Sequence, residues 1–239
     1  MSNAILMAAD ADIDIMVHGL ISYEVFGQTC WITTTHVCAL IVMVVLIGFF
    51  IAVNRKMKHA KEVPDGFQNV IELIVEMLDN MVKGVMGVNS SKFANYISTI
   101  FIFILMSNIS GIFGLRPPTA DYGVTFALGI MTFSLIHFNK FKHQHVSGVL
   151  KGLCEPWPIW APINIISDIA VPVSLSLRLF ANVLSGTIIM ALVYGLLGWI
   201  ATIWPSVLHV YFDLFSGAIQ TYVFCMLTMT YISDAIGSE

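Results

Sequence analysis

Residues 163–203 read INIISDIAVPVSLSLRLFANVLSGTIIMALVYGLLGWIATI, and from Ile169 to Phe212 the only formally charged residue is Arg178. A helix that crosses a bilayer needs about 20 mostly apolar residues, so this stretch crosses with length to spare and must tilt or bend. An arginine at the centre of the hydrocarbon costs at least about 2.5–3.5 kcal/mol, and a guanidinium cannot shed its proton to escape that cost. It must meet a counter-charge or a water-filled cavity. Asp168 lies ten residues back, about 15 Å along a helix axis, too far to be the partner. The partner is therefore expected from another helix or another chain.

The residues around the arginine fit a hydrated path. Ser174, Arg178, Asn182 and Ser185 fall at i, i+4, i+8 and i+11, on one helix face. The small residues Ser174, Ala181, Ser185 and Gly186 let another helix approach closely.

Working outward, the rest of the chain repeats the apolar pattern. Of its 239 residues 57% are hydrophobic and 11% charged, which leaves too little charge to cover a soluble surface and points to an integral membrane protein. The expected fold is all-α, with five transmembrane helices and one amphipathic interfacial helix. Residues 1–28 form an acidic external segment with Asp10, Asp12, Asp14 and Glu24 and no Lys or Arg, unlike a cleaved signal peptide. Residues 29–54 hold the first span. Residues 93–139 hold a helical hairpin around a turn at Pro117, Pro118 and Asp121. Residues 163–233 hold a long tilted hairpin, broken at Pro205.

Between the first two spans, residues 66–87 place Glu72, Glu76, Asp79 and Lys83 at helical spacing against Val70, Ile71, Ile74, Val75, Leu78 and Val82. Such a helix lies along an interface rather than crossing. Its acidic stripe reads first as a solvated face, and secondarily as a docking surface for a partner subunit.

Basic residues set the orientation. Arg55, Lys56, Lys58 and Lys61 follow the first span, and Lys140, Lys142 and Lys151 follow the third. Both loops are expected inside, which puts the N-terminus outside and the C-terminus in the cytoplasm. The net charge of −4 comes with no long basic run, so nucleic acid is not an expected partner. Cys30, Cys38, Cys154 and Cys225 show no paired spacing for a disulfide or zinc site. His143 and His145 near Cys154 lack a fourth ligand, so no metal and no cofactor are expected.

The run Pro172-Val173-Ser174-Leu175-Ser176-Leu177-Arg178-Leu179-Phe180-Ala181-Asn182 resembles the signature of the a subunit of F-type ATP synthases. Gly217-Ala218-Ile219-Gln220-Thr221-Tyr222-Val223-Phe224 and Leu227-Thr228-Met229-Thr230-Tyr231-Ile232 resemble that family's last helix. Ser107-Asn108 and Pro118-Thr119-Ala120-Asp121 are further matches, and the likeness runs from about His36 to Ile236. The resemblance implies a non-catalytic, ion-translocating stator subunit in a bacterial plasma membrane. Its partners would be the c-subunit ring, the peripheral-stalk b subunits, lipid, and protons or sodium. It would couple ion flow to rotation for ATP synthesis, with Arg178 facing a ring carboxylate between two half-channels.

On the last helix, His209, Asp213, Ser216 and Gln220 fall at i, i+4, i+7 and i+11, one face of an α-helix. With the C-terminus inside, Asp213 and His209 become candidates for the external half-channel, facing Asn182. Gln220 would lie near the depth of Arg178 and hydrogen-bond in its neighbourhood, and Asp168 is a candidate for the cytoplasmic half-channel. Each has a plainer reading. Arg178 could pair inside a transporter bundle, and Asp213 could be an interfacial acid. Asp168 could be a solvated helix-start acid, and Asn182 and Gln220 could glue helices together. Many family members carry Gly in place of Ala181 and Glu in place of Thr187, and Thr187 cannot relay a proton as a carboxyl can, which leaves the ionisable role to Asp213. A secondary transporter or a stand-alone channel also accommodates a buried arginine, although the two related halves common in transporters are not evident here.

Overall fold

The computed structural model describes residues 19–25, 28–58, 66–154, 157–197 and 208–237. It contains a short hairpin of β1 (Gly19–Val25) and β2 (Gln28–Thr33), then six long helices. These are α1 (Thr34–Met57), α2 (Gly66–Met86), α3 (Ser90–Ile109), α4 (Tyr122–Cys154), α5 (Ala161–Leu197) and α6 (Gly217–Ile236). Short 3₁₀ turns link α2 to α3, extend α3, and precede α4 and α5. A seven-residue π-helical segment, Val210–Ser216, leads into α6. Five stretches are long and apolar enough to cross a membrane: Thr34–Met57, Gly66–Phe113, Tyr122–His143, Ala161–Val193 and Val210–Ile236. The protein is thus almost entirely helical, as an all-α membrane protein would be.

Helix boundaries differ from expectation where polarity and backbone preference part company. The first helix starts at Thr34, while residues 29–33, expected within it, pair as β2 against β1. The β-branched Thr29, Ile32 and Thr33 suit an extended backbone. The side chain of His36 closes the helix start, with Nδ1 2.7 Å from Thr33 Oγ1 and 3.4 Å from its amide nitrogen. At the other end Arg55 and Lys56 fall in the last turn, where cations complement the helix dipole. The third span was expected to end at residue 139, yet α4 continues to Cys154. Lys, Gln and Leu in this stretch sustain a helix well, so leaving the apolar zone need not end the helix. The break expected at Pro205 lies outside the described residues, as do residues 1–18.

The core is organised around α6, which packs against α2, α3, α4 and α5. Phe224, Cys225, Met229 and Ile232 of α6 are fully buried with Ile97 and Ile104 of α3 and Leu175 and Leu179 of α5. Val82 and Met86 of α2 join the same cluster. Around the α2 wheel, Ile71, Leu78, Val82 and Met86 are buried, Glu72, Glu76 and Lys83 are exposed, and Val70, Leu73, Ile74 and Met77 form an exposed apolar stripe. Gly87, with φ +50°, then turns the chain, a backbone that favours glycine. Helix α1 is peripheral and leaves Leu40, Met43, Val44, Ile47 and Ile51 exposed. Apolar surface this extensive belongs against lipid.

One close approach fixes α4 against α5. A Cβ on Gly129 would lie 2.7 Å from the carbonyl oxygen of Pro172, so only glycine fits there without displacement. Pro172 sits inside α5 and donates no amide hydrogen, which deprives the Asp168 carbonyl of its intrahelical donor.

Candidate functional site

Three groups of polar residues interrupt this apolar body. The first is the face of α5. Ser174, Arg178, Ala181 and Ser185 are all exposed, as their spacing implies, while Leu175 and Leu179 beside them are buried. No carboxylate among the described residues lies within ion-pair distance of Arg178. Ser185 turns inward to its own helix, donating to the Asn182 carbonyl at 2.9 Å.

The second group lines a cavity of about 480 Å³ between the ends of α3, α5 and the π segment. Asp213 and His209 both face it, with Nδ1 of the imidazole 2.9 Å from Oδ2 of the carboxylate. Asn182 also lines it, half-buried, and accepts from the Ser216 hydroxyl at 2.9 Å, which ties the arginine helix to the π segment. Thr187 lines the wall but spends its hydroxyl on the carbonyls of Val183 and Leu184. On the opposite wall Gly111 lies so near Asp213 that a Cβ there would come 3.1–3.2 Å from the carboxylate atoms.

The grouping expected from α-helical spacing on the last helix holds only in part. His209, Asp213 and Ser216 engage the cavity or its wall, but Gln220 is not among its lining residues. The reason is the π segment: its hydrogen bonds span five residues instead of four, so the α-helical phase does not carry through from Asp213 to Gln220. Gln220 Nε2 is buried without a hydrogen-bond partner, and no hydrogen bond joins it to Arg178. A buried donor left unpaired costs about 1–3 kcal/mol.

The third group surrounds Asp168 at a smaller cavity of about 170 Å³. Lys140 Nζ lies 3.4 Å and His137 Nε2 3.7 Å from Asp168 Oδ2. Asp234 and Tyr231 of α6 complete the polar lining. His137 Nδ1 is 3.1 Å from the Phe133 carbonyl oxygen, which it can only approach as a donor, so Nε2 is the nitrogen turned to the acid. Sequence reading singled out Asp168 but not His137, Tyr231 or Asp234, and took Lys140 only as a loop cation. The one available signal was His137 and Lys140 at i, i+3, directed by α4 to the same side.

Sequence reading also assigned no role to a buried polar hub. Asn108, at the end of α3, accepts from the Thr119 hydroxyl at 2.7 Å and donates to the Gly217 carbonyl at 3.2 Å and to Thr221 Oγ1 at 3.4 Å. Asn108, Thr119 and Thr221 are buried. Seven of ten positions before Asn108 are apolar or aromatic, which makes a fully enclosed amide there conspicuous.

Comparison with known proteins agrees with this arrangement. Residues 36–233 match the family model described as ATP synthase A chain. The chain is 36% identical over 222 residues to the sodium ion specific ATP synthase subunit a of Propionigenium modestum, covering 86% of this chain and 75% of that one. It is 31% identical over 225 residues to ATP synthase subunit a 1 of Chlorobium luteolum, covering 94% and 95% of the two chains. With ATP synthase subunit a of Sulfurihydrogenibium it shares 33% identity over 205 residues, covering 84% and 95%. An isolated exposed arginine on one helix, acid-lined cavities at two places in the same apolar bundle and a match over nearly the whole chain therefore lead to one assignment: the chain belongs to the ATP synthase subunit a family, the ion-translocating stator subunit of the complex.

Proposed function

We propose that this chain forms two offset ion half-channels that meet a ring of carboxylate-bearing helices on either side of Arg178. The observation that carries the reading is the exposure of Arg178 with no acid of its own chain beside it among the described residues. A bare charge at bilayer depth is expensive, so a counter-charge supplied by a ring of c subunits fits the vacant side of the arginine. Facing Arg178, a ring carboxylate is favoured in its ionised form; leaving for lipid, it must be neutral. The arginine therefore enforces ion release before a site passes and stops a loaded site from slipping between half-channels. Each charge crossing the membrane carries about 2.3 kcal/mol per 100 mV, so several ions are pooled by rotation to make one ATP.

The basic residues after α1 and along α4 support an outside N-terminus and a cytoplasmic C-terminus in a bacterial plasma membrane. In that orientation the Asp213 cavity serves as the external half-channel and the Asp168 cavity as the cytoplasmic one. Helix α2, with one buried, one acidic and one apolar exposed sector, suits a position along the interface, its acidic sector open to peripheral-stalk b subunits. The long α5 and the π–α6 segment pack as a tilted hairpin against the ring. Catalysis belongs to other subunits. The printed name of the Propionigenium modestum relative favours sodium as one candidate coupling ion beside the proton.

The deciding experiment is ATP-driven ion uptake into membrane vesicles carrying Arg178→Ala, with and without added sodium. Coupled uptake is expected to fall to background while ATP hydrolysis by the detached catalytic sector is unaffected. Normal uptake would overturn the reading. A secondary transporter or a lone channel would instead purify without a ring of small hairpin subunits.

A further inference from the structure

We propose that Asn108 is a positioning residue for Asp213: it clamps the carboxyl end of the π segment, and through it fixes where the Asp213 carboxylate stands in its cavity. The inference rests on the reading of Asp213 as an external half-channel acid. A seven-residue π-helix is rarely stable by itself, because its hydrogen-bond ring is wide and its axis poorly packed, and such segments concentrate at functional sites. Something outside the helix has to hold it. Asn108 meets it where it returns to α-helix, at the Gly217 carbonyl, which also accepts from Thr221 at 2.7 Å. A Cβ on Gly217 would lie 2.9 Å from Asn108 Cβ, so glycine is what lets the amide reach this carbonyl.

The grip is anchored at its other end. The Thr119 hydroxyl holds Asn108 Oδ1, which fixes the amide orientation and presents Nδ2 to Gly217 and Thr221. One turn along from Asn108, Gly111 stands so close that a Cβ on it would press on the Asp213 carboxylate, and one turn back from Gly217 lies Asp213 itself. Two neighbouring residues of one element thus meet two neighbouring residues of the other, so a shift at Gly217 is transmitted to the acid. Ser216, between them, is held from the far side by Asn182. Asn108 also borders the Asp213 cavity, but its amide is committed to Thr119, Gly217 and Thr221, so it acts by position.

The test uses the whole synthase in proteoliposomes, with ATP synthesis driven by an imposed ion gradient and an independent membrane potential. External pH is titrated at fixed sodium, and external sodium at fixed pH. In Asn108→Leu, which keeps the bulk and removes the amide, the external ion concentration giving half-maximal rate should rise about tenfold, with the maximal rate per assembled complex within about twofold. In an Asp213→Asn background the same change should add no further shift. Gly111→Ala, which crowds the carboxylate from the other contact, should shift the half-maximal concentration in the same experiment by a smaller factor. It serves equally where Asn108→Leu assembles poorly, and Asn108→Asp, which keeps Oδ1 for Thr119 but has no donor for the Gly217 carbonyl, should shift at least as far as Asn108→Leu. A loss confined to maximal rate, or an Asn108→Leu shift that persists undiminished without Asp213, would overturn the proposal. An Asp213→Asn enzyme that runs normally would instead sink the half-channel reading beneath it.

Discussion

The two acid-lined cavities are built on different terms. Asp213 stands in the larger one, with an imidazole beside it, a glycine against its carboxylate and a π-helical backbone beneath it. Asp168 stands in the smaller one, on a regular stretch of α5 just before Pro172, and shares its charge with Lys140 and His137. The first acid meets an imidazole nitrogen at 2.9 Å, while the second meets an ammonium at 3.4 Å and an imidazole nitrogen at 3.7 Å. A cation beside an acid compensates its ionised form. On the half-channel reading, Asp213 carries ion hand-over in its path and Asp168 mainly sets the electrostatics and shape of the cytoplasmic one.

The sharpest way to break this contrast is to neutralise each acid in turn. Asp213→Asn is expected to lower ATP-driven ion uptake by about 10²-fold, the size of removing a positioned proton-transfer group. Asp168→Asn should cost less than about fivefold, because the side chain is over a third exposed and its ion pair is of the kind worth about 0–1 kcal/mol. Uptake assays on the two variants in parallel decide the matter. Equal losses would mean that the difference in surroundings has no functional weight.

The packing beneath the Asp168 cavity offers a second way in. Gly129 and Pro172 bring α4 and α5 into contact one turn from Asp168. Gly129→Ala must push the helices apart or bend one of them, at about 1–3 kcal/mol, as overpacking of a filled site does. The unfolding midpoint in a fixed detergent mixture should fall accordingly, while the same substitution at Gly84, where a Cβ meets nothing, leaves it unchanged or raises it slightly. An unchanged midpoint for Gly129→Ala would show that the two helices slide freely there.

What the sequence disclosed follows from the physics of each feature. Helices α1 and α3 to α6 were legible because hydrocarbon solvation acts on twenty residues at once and averages over local detail. Arg178 was legible because a lone charge in an apolar run is costly wherever it finally points. The hairpin of β1 and β2 was not, since a short strand beside a span differs from it only in backbone preference. Nor was the π segment, whose residues VYFDLFS fit an α-helix as well; the residues that meet it and its junction with α6, Asn182 and Asn108, are distant in the chain. For the same reason Asp213 was found with its i−4 neighbour His209, whereas Gln220, across the change of winding, does not join them at the cavity. His137 escaped notice because its meaning depends on Asp168, which faces it from another helix.

Lys140 gives the smallest and most discriminating effect. If it merely steadies the meeting of α4 and α5, Lys140→Met should cost no more than about 1 kcal/mol of stability, the ceiling for a half-exposed pair at 3.4 Å. The aliphatic stem of lysine is preserved by methionine, so packing changes little and the charge is the main variable. If instead the cation holds Asp168 out of the ion path, its removal should raise the rate of uptake while stability stays within that limit. The two outcomes differ in the transport assay, unchanged against raised, and coincide in the unfolding assay, so measuring both separates a brace from a brake. The brace is the expected outcome: uptake unchanged within about twofold, because a partly exposed ion pair at 3.4 Å is worth at most about 1 kcal/mol.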